Sequence, residues 1–165
     1  MTAGSSRSIG DRPAQVVFAL LVLACFAAFF LTQRLKHTPT AVQAFKLTPR
    51  FTPSASGAIA QERISFKLAK ADAVTVTIID EQGNLVATLV RHHRLSRYKQ
   101  FSLRWNGHRG IARSFVLIAG PHGHTALLAG NDGSLAPPGE YRVRVSLQEQ
   151  ARSVLSPRSF TLVAR

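Results

Sequence analysis

Hydrophobic residues fall into two regimes along this chain. From Ala14 to Leu31 they are continuous, with Gln15 the one polar member of eighteen residues, and no charge stands between Arg12 and Arg34. At a helical rise of about 1.5 Å per residue that run is about 27 Å long, close to the roughly 30 Å hydrocarbon core of a bilayer. From Arg63 onward the period becomes two. Ile64, Phe66 and Leu68 alternate with Ser65 and Lys67, and Val74, Val76 and Ile78 alternate with Thr75 and Thr77. Leu85, Ala87 and Leu89 follow the turn Asp80-Glu-Gln-Gly-Asn84. Phe101, Leu103 and Trp105 form another such set, closed by Asn106-Gly107, and Tyr141, Val143, Val145 and Leu147 follow Pro137-Pro-Gly139. Phe160 and Leu162 end the series. Short alternating strands separated by turn chemistry predict an all-β, antiparallel β-sandwich with one face of each strand packed and one wet.

The pattern divides the chain into a disordered, cytoplasmic tail at 1–13, a transmembrane helix at 14–33, a linker at 34–44 and a β domain at 45–165. Between Gly107 and Gly139 lie two consecutive apolar runs, Ser114 to Ala119 and Thr125 to Ala129, on either side of Gly120-Pro-His-Gly-His124. They predict an inserted hairpin near 111–131. Because its apolar residues are consecutive, both faces want cover. Two outcomes are open. The hairpin extends a sheet and buries Phe115, Leu117 and Leu127, or it leaves Val116, Ile118 and Leu128 as a candidate partner surface.

Three readings compete for the apolar run. A cleaved signal needs a small-residue site close behind it, but Val42-Gln43-Ala44 lies beyond Arg34 and Lys36. A lipoprotein signal ending at Cys25 is opposed by the apolar stretch Phe26 to Leu31. An uncleaved anchor contacting the lipid bilayer through residues 14–31 fits best. Arg7 and Arg12 precede the run and Arg34 and Lys36 follow it, so charge balance alone does not orient it. The expected location is a bacterial cytoplasmic membrane, crossed once, with the C-terminal domain outside.

The formal charge of +13 belongs mostly to the β domain. Cys25 is the single cysteine, so neither an intramolecular disulfide nor a cysteine-based metal site is available. The densest basic region is 91–113, where Arg91, Arg94, Arg97 and Lys99 are candidate contacts to an anionic polymer. Tyr98 is the lone aromatic among them, so base stacking is poorly served and nucleic acid is disfavoured.

The strands Arg63 to Leu68 and Ala73 to Asp80, the Trp105-Asn106-Gly107 turn and the Pro138-Gly139-Glu140-Tyr141 turn resemble the Ig-like domain first described in flagellar hook-capping proteins. The resemblance covers about Ala44 to Val163. It implies an Ig-like β-sandwich serving as an interaction or spacer module without catalysis. The chain departs from that pattern at Ser56-Gly57-Ala58-Ile59, which lacks a carboxylate, and in the long connection from Gly107 to Gly139.

Six histidines raise the question of a metal. His122 and His124 would share a face in an extended segment, whereas His92 and His93 would point apart. Neither pair supplies the three or four converging ligands of a tight site. There is no Gly-x-Ser-x-Gly elbow and no glycine-rich phosphate loop. No catalytic residue, metal or cofactor is expected. The expected function is a membrane-anchored, non-enzymatic interaction or structural module of the bacterial envelope, with an envelope protein or anionic polymer as partner; electrostatic binding of anionic polymer or nucleic acid through 91–113 is the alternative.

Overall fold

A computed structural model describes residues 11–36, 40–53, 60–119 and 125–164. The chain separates into two compact units, 1–39 and 40–165. In the first, a helix runs over Asp11–Lys36. Its window Ala14–Gln33 has a mean hydropathy of 2.6 and none of it is covered by protein, so this helix is long and apolar enough to cross a membrane. Thr32, near the end of that window, donates its hydroxyl to the Ala28 carbonyl at 2.7 Å, which keeps that group satisfied within the helix.

The second unit is built of strands. In chain order these are β1 (Val42–Leu47), β2 (Arg50–Phe51), β3 (Glu62–Leu68), β4 (Asp72–Asp80), β5 (Leu85–Leu95) and β6 (Gln100–Trp105). They continue as β7 (Gly110–Ile111), β8 (Ser114–Ala119), β9 (Thr125–Gly130), β10 (Gly139–Leu147), β11 (Arg152–Leu155) and β12 (Phe160–Leu162). One sheet has the order β1-β3-β6-β9-β8; the other runs β2-β12-β10-β4-β5-β7, with β11 also paired to β10.

Both sheets are mixed, which corrects the expectation of antiparallel pairing throughout. β6 with β9, β5 with β7 and β2 with β12 are parallel. Parallel neighbours need a crossover between them. For β6 and β9 the inserted segment supplies it: the chain leaves the first sheet after Trp105, touches the edge of the second as β7, and returns as β8 and β9. A similar crossing at Thr48-Pro49 carries the chain from β1 in the first sheet to β2 in the second.

The packed phases of both sheets meet in one core. Fully buried Trp105 has its ring 5.6 to 6.0 Å from those of Phe51, Tyr141 and Phe160, three residues of the opposite sheet. Its indole N–H donates to the His108 carbonyl at 2.8 Å, so the one polar atom of the side chain is not stranded. Phe66 extends this core toward Phe45 and Phe101. β5 departs from the predicted alternation: Leu85 is exposed, while Val86 to Val90 are all buried. Three register irregularities along the β4–β5 pairing shift the phase, so strict period two does not survive there.

The Thr48-Pro49 crossing is held by a buried carboxyl. Glu62 opens β3 on the packed phase and accepts the Thr48 backbone N–H at 2.8 Å. Its other oxygen, Oε2, has no hydrogen-bond partner among the described residues. Burial pushes the Glu62 carboxyl up to about 8, against the smaller lowering effect of the Thr48 N–H.

Candidate functional site

β8 is the outermost strand of the first sheet, and β9 is its partner there. Alternate residues of such an edge strand direct N–H and C=O groups away from the sheet. The sequence of β8, Ser-Phe-Val-Leu-Ile-Ala, carries no charge and no proline, the usual devices that blunt an edge. Its register places Phe115 opposite Ala129 and Leu117 opposite Leu127, on the phase that faces the core further inside the sheet. Val116 opposite Leu128 and Ile118 opposite Ala126 belong to the outer face.

Side-chain exposure separates these residues. Leu127 is half-buried and packs against the core. Phe115 and Leu117, one strand farther out, are 46% and 69% exposed. The hairpin therefore extends the sheet, but the burial expected of Phe115 and Leu117 does not occur. The reason is the opposite layer, which ends in the two-residue β7. On the outer face Val116 is 55% exposed, whereas Ile118 and Leu128 are half-buried. The segment Gly120 to His124, including His122 and His124, lies outside the described residues, as does Ser56 to Ile59.

The hairpin's base is fastened more firmly than its edge. Asn131, which follows β9, donates its side-chain amide to the carbonyls of Gly110 and Thr88 at 2.8 and 3.2 Å. Asn106 donates in turn to the Asn131 carbonyl at 3.1 Å. Two side-chain amides thus tie the start of the long connection to its end and to the second sheet. Arg113 and Asp132 pair at 3.4 Å at the same base, but both are largely exposed and the pair contributes little.

The basic candidates are dispersed over local settings. Arg91 and Arg94 lie on the distal half of β5, and Arg97 and Lys99 lie between β5 and β6; all four are exposed. Arg94 meets Glu149 at 3.4 Å. Arg97 lies 4.5 Å over the Tyr98 ring and donates to its hydroxyl at 2.9 Å. Among the described residues, no three His, Cys, Asp or Glu side chains come together as ligands for a metal ion.

A second basic set was not singled out by reading runs. Lys46, Arg63, Lys67 and Arg104 occupy the outer phase of β1, β3 and β6, with Arg63 directly opposite Arg104 and Lys46 opposite Ser65. Alternation was the available signal: each is flanked by residues whose side chains point inward. Nothing in the local sequence announces that the four share one surface. No family model matches this chain, and no curated protein matches it.

Proposed function

We propose that this chain is a single-pass membrane protein of the cell envelope whose β domain is a non-enzymatic interaction module. In this reading the domain is an Ig-like sandwich of the kind first described in flagellar hook-capping proteins, and β8 is the strand it offers to a partner. One observation carries the proposal: an uncharged, six-residue edge strand with exposed apolar side chains on both faces. Such an edge is a hazard unless something covers it, and an extended strand of another polypeptide satisfies both its backbone groups and its side chains.

Two further features support the Ig-like assignment. A buried Trp from one sheet packs against the other, and the Tyr141 hydroxyl donates back to the Pro137 carbonyl just upstream, as in the tyrosine corner of Ig-type sandwiches. The parallel pairing of β6 with β9 belongs to the inserted segment and leaves the surrounding strands β3, β4, β6 and β10 in antiparallel pairs. The apolar helix, free of charge over its central window, supports the anchor.

The experiment is site-specific photocrosslinking in intact membranes from position 117, with the same label placed at exposed Leu155 as a control. A discrete adduct from 117 alone is expected, and Leu117→Lys in a chain labelled at 116 should abolish it while Trp105 fluorescence shows the domain still folded. Identical adducts from both positions, or an adduct indifferent to Leu117→Lys, would refute β8 as the docking edge.

A further inference from the structure

Of the two sheets, the first has an outer face of one sign. Exposed Lys46 and Arg63 and half-buried Lys67 and Arg104 stand on three adjacent strands, β1, β3 and β6. Neighbouring strands lie about 4.8 Å apart, so the set spans about 10 Å across the sheet. No carboxylate shares this face among the described residues. Glu62, the one acidic residue of these strands, points into the core. Asp72, Asp80, Glu81, Glu140 and Glu149 belong to the second sheet or its turns, and Asp132 follows β9. Among the described residues none of the four cations forms an ion pair, and Arg104 donates to the Gln61 side-chain oxygen at 3.4 Å.

The register adds a cost that folding does not require. Arg63 and Arg104 are cross-strand partners, and like charges placed directly opposite destabilise a sheet. A polar residue at either position would serve the alternation equally well. The charge is kept where only something outside the domain can answer it.

Chain connectivity says what is close. The domain is entered at β1, an edge strand of this same sheet, and residues 37–41 are all that separates β1 from the end of the helix. Five residues fully extended reach about 17 Å. If the helix is embedded in a bilayer, so short a tether limits how far the start of β1 can stand from the end of the helix. We infer that the outer face of β1, β3 and β6 docks on the anionic phospholipid surface of the membrane its own helix enters. This rests on the anchor proposed above. Juxtamembrane Lys and Arg clusters are drawn to anionic headgroups in this way, and the attraction fades beyond a Debye length. Docking the face would leave the β8 edge free, because an added strand lies in the plane of the sheet and the lipid lies beneath it.

The test uses the full chain in nanodiscs. Cys25→Ala removes the native thiol, and a fluorophore is placed at Ser102→Cys, on the proposed face, or at Ser146→Cys, on the outer phase of the second sheet. Co-elution with the disc reports the anchor independently of the face. With a headgroup-attached quencher, position 102 should be quenched in discs containing phosphatidylglycerol and not in pure phosphatidylcholine. Position 146 should be unaffected in both. Raising salt to about 1 M, where the Debye length is roughly 3 Å, should release the face. Each of Lys46→Gln, Arg63→Gln, Lys67→Gln and Arg104→Gln should lower the docked-to-free ratio roughly fivefold. Arg63→Gln should do so with an unchanged or higher urea midpoint, a response that a purely structural arginine would not give. Quenching at 102 independent of lipid charge, equal quenching at 146, or a quadruple variant that still docks would overturn the proposal. So would protection of position 102 by soluble polyphosphate in chains whose discs leave it unquenched, an outcome that assigns the face to a free polyanion.

Discussion

Glu62 makes the stability of this domain depend on pH in an uncommon direction. Its ordinary value is 4.5, and burial raises it to about 8 in the folded chain. Between those values the unfolded chain carries an ionised Glu62 and the folded chain a protonated one, so folding takes up a proton. Stability from this group is then fully present below about 4.5 and is lost as pH rises toward 8. At about 1.4 kcal/mol per pH unit, the difference across the whole window is about 5 kcal/mol. That is a large share of the roughly 5–15 kcal/mol that holds a domain of this kind together. Glu62→Gln keeps the shape and an acceptor for the Thr48 N–H but cannot ionise.

The assay is urea unfolding of the full chain in detergent, from pH 5 to pH 8, followed by fluorescence. Trp105 is the single tryptophan and is fully buried, so its emission reports the β domain alone. Wild type should lose roughly 4 kcal/mol across that range relative to Glu62→Gln, whose own change reflects every other titrating group. Asp72 does not confuse the comparison. Burial raises its carboxyl, but donors led by the Glu149 N–H and the Gln150 side chain outweigh this and hold it below 3.8, so its contribution is lost only in stronger acid. Parallel curves for wild type and Glu62→Gln from pH 5 to pH 8 would refute the reasoning, since they would mean that Glu62 is ionised in the folded domain.

Two other perturbations test the packing. Trp105→Ala removes the ring that joins the two sheets and should cost roughly 3–5 kcal/mol, seen as a lowered melting temperature by circular dichroism. Gly107 adopts φ +85, and a Cβ there would lie 2.6 Å from Pro53 Cγ, so Gly107→Ala should destabilise by roughly 1–3 kcal/mol. Gly83 has the same φ of +85 with nothing within 4 Å of a Cβ, so Gly83→Ala should cost less, and the difference isolates the Pro53 contact.

What could be read from the sequence was whatever depends on near neighbours. The helix follows from a charge-free run, and the burial of Phe101, Leu103 and Trp105 follows from alternation within one strand. The hairpin followed from two apolar runs about a Gly-Pro turn. Its parallel attachment to β6 did not, because side-chain period is two in either direction of pairing. The exposure of Phe115 and Leu117 was equally invisible. It depends on where the opposite sheet stops, at β7, whose two residues Gly110 and Ile111 carry no strand pattern of their own. The Thr48-Pro49 crossing has the same character: Glu62 looks like an ordinary polar opening to a strand until its partner is identified fourteen residues upstream.

The two basic regions show why reading by runs and reading by register diverge. Arg91 to Lys99 stands out as a contiguous cluster, yet Arg94 is answered by Glu149 and Arg97 lies over Tyr98. Arg63 and Arg104 are far apart in the chain and become neighbours only through the β3–β6 register. Local solvation accounts for charges that are interspersed with their counterions, as the first cluster is in part. It does not account for two arginines set opposite each other on a face where no described residue supplies a carboxylate, where repulsion lowers stability and a serine pair occupies the next outward register at Ser65 and Ser102. That serine pair is the internal comparison: the same strands, the same face and the same alternation accommodate neutral residues one step away. The positions that keep positive charge against the local energetics are therefore the ones to test against an anionic surface, ahead of the cluster that is conspicuous in the sequence.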